Sequence, residues 1–396
     1  MFRDIDPNVS VRLLDVGPAI HRFFDTSPFS PSGRYLGLTR FPVDDRLPQK
    51  GEEAEIVVVD LDNGESKVVD RTLAWDTQLG AQVQWGRNDE ELVYNVQSET
   101  APVIHGRVLN LFNSERRDLT GEVYMVSDVR GEAVSASLLH MGQKQPGYGA
   151  HWAGVDEWNR GSDAELGISI TPLDGGPTRM ILTIGDFLEL FPELRCKGGA
   201  YVCFHTKWNP QGTRIMVCFF WMYPDGKGNR NSILTMDPDG SNLALALTPD
   251  IWALGGHHPN WCPNGDDILM NAKPDGKSLQ LVKFRYNGSG FETLTDTLRG
   301  SGHPTMHPDG RHIITDCYPY EEGKGATHVP LRWIDLKTDT ETTLVQIPCV
   351  PKFGGPKGEL RIDPHPAWDY QFKRVAINCL SDGVRKVAVV DLSKVL

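Results

Sequence analysis

FHTKWNPQGTRIMVCFF (204–220) holds a histidine, a tight Asn-Pro-Gln-Gly turn and an apolar run, in that order. The same order returns in HHPNWCPNGDDILMNA (257–272) and in HPTMHPDGRHIITDCY (303–318), and its first part in HPAWDYQF (365–372). SPSG (30–33) places a similar turn near the N-terminus. Turn residues between two short apolar stretches mark a strand, a tight turn and an antiparallel strand. A second half then follows: a run such as EIVVVDL (55–61), a Gly, Asn or Asp turn and a closing strand. EIVVVDLDNGESKVV (55–69), RVLNLFNSERRDL (107–119), GISITPLDGGPTRMI (167–181), SILTMDPDGSNLALAL (232–247), LVKFRYNGSGFETL (281–294), LRWIDLKTDTETTL (331–344) and KVAVVDLSKVL (386–396) supply it. Four short strands at a period of roughly forty to fifty residues are the pattern of a propeller blade. The sequence therefore predicts an all-β, seven-bladed propeller with four-stranded blades, occupying residues 1–396 as one domain.

Counting five residues back from each turn proline, or its equivalent, assigns one innermost position per blade: Thr26, Gln82, Val123, His205, His258, His303 and His365. Their spacings are 56, 41, 82, 53, 45 and 62 residues, and only the third is too long for a single blade. Residues 138–163 (LLHMGQKQPGYGAHWAGVDEWNRGSD) are expected to leave the scaffold as a long functional loop. The last unit lacks a fourth strand, and SVRLLDVG (10–17) is a strand without a blade. It is expected to close the ring and so remove an exposed edge.

The 396 residues carry 52 acidic and 40 basic side chains, a net charge of −12 that argues against nucleic acid as a partner. There is no apolar run of membrane-spanning length and no secretory leader pattern at MFRDIDPNVS, so no membrane is expected; a secreted mature form would read the same, and it is the unpaired cysteines that favour a cytoplasmic location. Seven cysteines without paired spacing read as buried thiols.

Four consecutive blades sharing one phase aim His205, His258, His303 and His365 into the central channel, with Gln82 opposite. The cofactor expected from this is a divalent metal in the channel (zinc, manganese or calcium); imidazoles suit the first two, whereas calcium would require oxygen ligands. Cys262 or Cys317 could replace one ligand, and His257, His307 and His312 fall outside the register. The alternative is that the four histidines bond backbone carbonyls between blades. Trp85, Trp208, Trp261 and Trp368, each three residues after the innermost position, are assigned to packing between blades.

The chain has no nucleophile elbow, phosphate loop or dinucleotide fingerprint. Asp156 and Glu157 form an adjacent acid pair, a poor geometry for flanking one glycosidic bond. The long loop and its flanks instead hold His105, Tyr148, His151, Arg160, Tyr201 and Arg214. This set suits β-elimination from a uronic acid: a base removes the C5 proton, cations steady the developing charge and an acid protonates the leaving oxygen. Read singly, Arg214 is a strand-surface cation, Tyr201 a strand aromatic and His105 a blade residue. Trp152 and Trp158 in the loop are candidates for stacking on a sugar ring.

HRFFDTSPFSPSGRYLGLTRFP, AWDTQLGAQVQWG, PGYGAHW, FHTKWNPQGTR, GGHHPNWCPNG, SGHPTMHPDGRHIITD and LRIDPHPAWD resemble the seven-bladed propeller polysaccharide lyases. These are the ulvan lyase and L-rhamnose-α-1,4-D-glucuronate lyase group, with the rhamnosidase-type propellers and oligogalacturonate lyases as more distant kin. The resemblance runs from His21 to the last blade and implies an anionic oligosaccharide or polysaccharide substrate. It implies catalytic roles for His105, Tyr148, Arg160, Tyr201 and Arg214, with Tyr148 moving a proton and the arginines holding the carboxylate. Where these lyases have an upstream histidine, this chain reads Gln82-Val83-Gln84-Trp85, so Gln84 is left as a substrate hydrogen-bonding residue. The rhamnosidase-type alternative makes His21 the key residue of a hydrolytic site; a non-catalytic sugar-binding propeller is the third reading.

Overall fold

The computed structural model describes residues 1–101, 103–150 and 165–396. Seven four-stranded antiparallel sheets form the predicted seven-bladed propeller. The innermost strands of blades two to seven are Gln84–Trp85, Met125–Ser127, Ala200–Trp208, Gly256–Trp261, Thr305–Met306 and Ala367–Trp368, and that of blade one is Ala19–Ile20. Blade seven is completed by Ser10–Leu13, which pairs antiparallel with Val384–Asp391 from Ser10↔Asp391 to Leu13↔Ala388. The first strand of the chain thus supplies the ladder that the last unit lacks, and the ring closes on hydrogen bonds.

The second strands of the blades are buried on both faces along most of their length, and Val93, Leu269, Ile313 and Val375 are fully buried between sheets. Several of these strands end in a short polar residue that reaches the next blade. Asn95 bonds both backbone groups of Val123, Asn271 donates to the Gly302 carbonyl, and Asn378 accepts from the His21 amide. In blade six the same place holds Asp316, which accepts from the amides of His303 (2.7 Å) and His365 (3.3 Å). Each of these groups satisfies backbone that the sharp entry into an inner strand would leave unpaired.

Glu132–Ser135 and Gly167–Pro172 pair directly, and residues 136–150, which follow the first of them, stand outside the sheet of blade three. They begin with a helix, Leu138–Lys144, whose first amide is held by the Glu122 carboxylate. All seven cysteines are free thiols. Among the described residues no helix is long and apolar enough to cross a membrane.

Candidate active site

The channel is not open along its axis. The segment His21–Asp25 fills it. Phe23, wholly buried, lies 4.8, 6.0, 5.8 and 4.5 Å from the rings of His205, His258, His303 and His365. Arg22 donates to Gln82 (2.5 Å) and Asp25 (2.7 Å), and Lys207 reaches Asp25 (3.0 Å) and the Pro259 carbonyl (2.8 Å). Burial alone would raise the Asp25 carboxyl, but Lys207 and Arg22 hold it well below the usual carboxylate range. The plug is therefore an ionised network tying blades two and four to the axis.

On one side of this plug the four register histidines do converge. His258 and His303 are 4.0 Å apart by ring centroid, and His303 and His365 are 4.2 Å apart. Gln82, His205, His258 and His365 take φ values of 60°, 50°, 57° and 50°, the left-handed region, while in blade six Gly302 (φ 61°) turns the chain just before His303. The pairing register slips between Phe204 and Lys207 and between His257 and Asn260, so these residues sit in bulges. A non-glycine residue held there costs about 1–3 kcal/mol, and such strain gathers where a side chain must be aimed.

The four histidines are not equivalent. His205 Nδ1 faces the Tyr124 hydroxyl at 2.5 Å, and His258 Nδ1 faces the Gly302 carbonyl at 2.8 Å. His303 Nδ1 lies 2.9 Å from Asp316, so it carries the proton and leaves Nε2 as a buried lone pair with no partner. Both ring nitrogens of buried His365 are also without a partner. His303, His365 and Asp363, all buried, bring one ligand atom each within 4.8 Å of one another, and Asp363 also receives Arg361 Nε at 2.7 Å. A carboxylate behind a histidine whose other nitrogen is free is the usual support of a metal-binding imidazole. The donor set fits a divalent ion that accepts two imidazoles and a carboxylate. His205 and His258 of the expected set are outside this group, and Asp363 was not in it; Cys317 faces Glu322 instead (3.2 Å). Asp363 stands two residues before His365, and that spacing was its one trace in the sequence.

Around this trio lie Tyr148, Tyr318, His257 and Arg361. Arg361 Nη2 donates to the Tyr148 hydroxyl at 2.9 Å, and Tyr148 packs 5.9 Å from His205. Burial pushes the Tyr148 phenol up to about 12, so it stays protonated. Burial lowers His257 to about 3 and holds His205, His258 and His365 well below the ordinary histidine range. Tyr318 touches His257, His258 and His303, and exposed Tyr320 stacks on it at 5.4 Å.

Other residues singled out in the sequence lie elsewhere. His105 is on the third strand of blade two, 3.4 Å from Asp118. Tyr201 stacks on Phe219, and its hydroxyl ties Cys196 to Leu194. Arg214 is spent on Thr235, Asp237 (2.7 Å) and the Asn242 carbonyl, beneath Tyr286. Gln84 uses its whole carboxamide on Gln82, Tyr124 and Val126, which pins blade two to blade three. His21 is sealed from solvent against the Pro364 carbonyl, and burial lowers it to about 4. His151, Trp152, Trp158 and Arg160, with Asp156 and Glu157, lie outside the described residues.

The seven-bladed propeller defines a class by fold, and solved structures share that fold. An oligogalacturonate lyase from Vibrio parahaemolyticus superposes with a TM-score of 0.65 at 13% identity, over 99% of this chain and 96% of that one. An oligogalacturonate lyase solved in complex with manganese gives 0.62 at 12%, over 98% and 91%. A puromycin-hydrolysing peptidase from Mycobacterium tuberculosis gives 0.53 at 11%, over 97% of this chain and 51% of that one. No protein-family model and no curated protein matches the sequence.

Proposed function

We propose that the protein cleaves oligosaccharides at a uronic acid by β-elimination, at the histidine end of the channel. The observation that carries this reading is the set of buried imidazole nitrogens without partners, in His303 and His365, beside Asp363 and the Arg361–Tyr148 pair. Likeness in fold to two oligogalacturonate lyases, one of them a manganese complex, supports it. His303, His365 and Asp363 would hold a divalent metal, which when bound acts as a Lewis acid on the substrate carboxylate.

The remaining steps belong to side chains. His258, kept neutral by burial and with Nδ1 turned to Gly302, presents Nε2 as the base for the C5 proton. Tyr148, protonated and held by Arg361, is placed to donate to the departing oxygen. Tyr318 and Tyr320 offer a ring surface to the sugar.

Glucuronate-, iduronate- and galacturonate-containing oligosaccharides, including rhamnose-linked ones, are the substrates to try, with the ultraviolet absorbance of the unsaturated product as readout. His258→Ala should lower turnover by about 10²–10⁴-fold while substrate still binds. Absence of the chromophore on every uronate substrate, or undiminished turnover in His258→Ala, overturns the reading.

A further inference from the structure

On the other side of the plug the channel widens into a vestibule of about 490 Å³. Its floor is Phe24 and Asp25, and its walls include Trp208, Trp261, Trp368 and Phe372. The volume is within the range of about 300–1,000 Å³ typical of small-molecule sites. We propose that this vestibule is a second binding site, for one neutral pyranose ring. The proposal does not depend on the chemistry assigned to the histidine end.

Two neighbouring polar groups carry it. Two residues beyond the register position, four blades have a polar side chain, and two of them spend it inside the protein: Lys207 on Asp25 and the Pro259 carbonyl, Gln84 on three groups. In blades five and six the same place holds Asn260 and Thr305, both lining the vestibule. Asn260 is only 7% exposed, and what is exposed lies on the vestibule. The Thr305 hydroxyl is buried and has no partner. A buried polar group left so costs roughly 1–3 kcal/mol, which makes the Thr305 hydroxyl an expense that folding does not explain, while the Asn260 carboxamide beside it stays open to the vestibule. Together they offer donors and acceptors to adjacent hydroxyls, and the apolar walls accept the carbon face of a ring.

Charge decides between sugars. Among the described residues no lysine, arginine or histidine lines the vestibule, whereas Asp25, Asp128 and Asp369 do. An anionic uronate therefore meets carboxylates without a cation. Asp25 is already neutralised by Arg22 and Lys207, and Asp369 by Arg374 at 2.8 Å, which leaves the Asp128 carboxylate, bonded to the Val129 amide, as a single charge to attract a cation. A neutral sugar is the ligand that satisfies the amide and the hydroxyl without opposing either condition.

The test is intrinsic fluorescence of the full chain, with three tryptophans in the vestibule walls, during titration with methyl glycosides of glucose, galactose and rhamnose, and in parallel with methyl glucuronoside. A saturable change with at least one neutral glycoside and none with the glucuronoside is expected. Thr305→Val and Asn260→Leu should each weaken that binding by about tenfold, yet leave the melting temperature of the free protein unchanged or higher, because the Thr305 hydroxyl has no partner to lose and the Asn260 carboxamide is open to the vestibule. His303→Ala should leave the binding intact. The proposal is overturned if no neutral glycoside gives saturation, if the change survives both vestibule substitutions, if the two variants melt lower instead, or if His303→Ala abolishes the signal.

Discussion

The two ends of the channel are built from the same strands, two or three residues apart, and differ in almost everything chemical. At the histidine end the backbone is bent into left-handed φ at His205, His258 and His365, and imidazole lone pairs are buried without partners. At the tryptophan end the same strands run regularly, and Trp208, Trp261 and Trp368 fill the spaces between blades at 2–5% exposure. The bulge sorts them: one residue out of register turns the imidazole to the axis, and the next residues resume the pleat. Unpartnered imidazole nitrogens and left-handed φ cluster at one end, while aromatic packing dominates at the other, where Phe372 (φ 55°) and the buried indole nitrogens of Trp208 and Trp368 are the lesser counterparts. Asn260 and Thr305 stand among those indoles. The plug between the ends is what allows them to differ, since Phe23 and Phe24 separate a polar compartment from an apolar one.

The largest effect is expected from the plug itself. Asp25→Asn leaves Arg22 and Lys207 buried without their carboxylate, and losing one member of such a network costs about 3–5 kcal/mol; chemical denaturation should show the midpoint falling accordingly, and a shift under 1 kcal/mol would mean that the network is not what separates the two ends. Because its pKa is depressed, the Asp25 contribution is present above the ordinary carboxylate range and is lost only as pH falls through the lowered value.

A narrower change sharpens the contrast at the histidine end. Asp316→Asn keeps the shape but weakens the hold on His303 Nδ1, so metal affinity should fall by about 10–100-fold, as read by competition with a chelator. Vestibule binding should be untouched by it. Equal metal content and affinity in the variant would count against His303 as a ligand.

The smallest effect concerns the helix Leu138–Lys144 on the approach to Tyr148. Burial raises Glu122 to about 7, opposed by the Leu138 amide it accepts. A raised carboxyl contributes stability below its unfolded value, near 4.5, that is lost as pH rises through about 7. Glu122→Gln should therefore raise the melting temperature by about 2–4 °C at pH 8 and change it little at pH 5. An identical shift at both pH values would contradict this.

Much of the architecture was readable because each blade is a local object. Turn chemistry at NPQG, CPNG and HPDG and the apolar, β-branched runs that follow give hairpins, and the surplus strand at 10–13 had one vacant edge to fill. The convergence of the histidines followed from phase alone. Their division of labour did not, because it depends on partners from other blades: Tyr124 for His205, Gly302 for His258, Asp316 for His303. Asp316 left a faint trace, since it occupies the place of Asn95, Asn271 and Asn378 in the repeat, and its charge is the departure that mattered. Arg214 illustrates the opposite case, a residue type suited to gripping a carboxylate that the fold uses to hold Asp237.

The sequence by itself determined the seven blades, the closing strand and the single phase that sends four imidazoles to the axis, because hydrogen-bond ladders and side-chain alternation act between neighbours in the chain. Only the tertiary structure decided which imidazoles keep a free nitrogen, that Asp363 joins them, and that HRFFDT divides the channel into two unlike ends. Those outcomes rest on burial and on contacts between residues far apart in the chain, from Phe23 to His365, which no local pattern encodes.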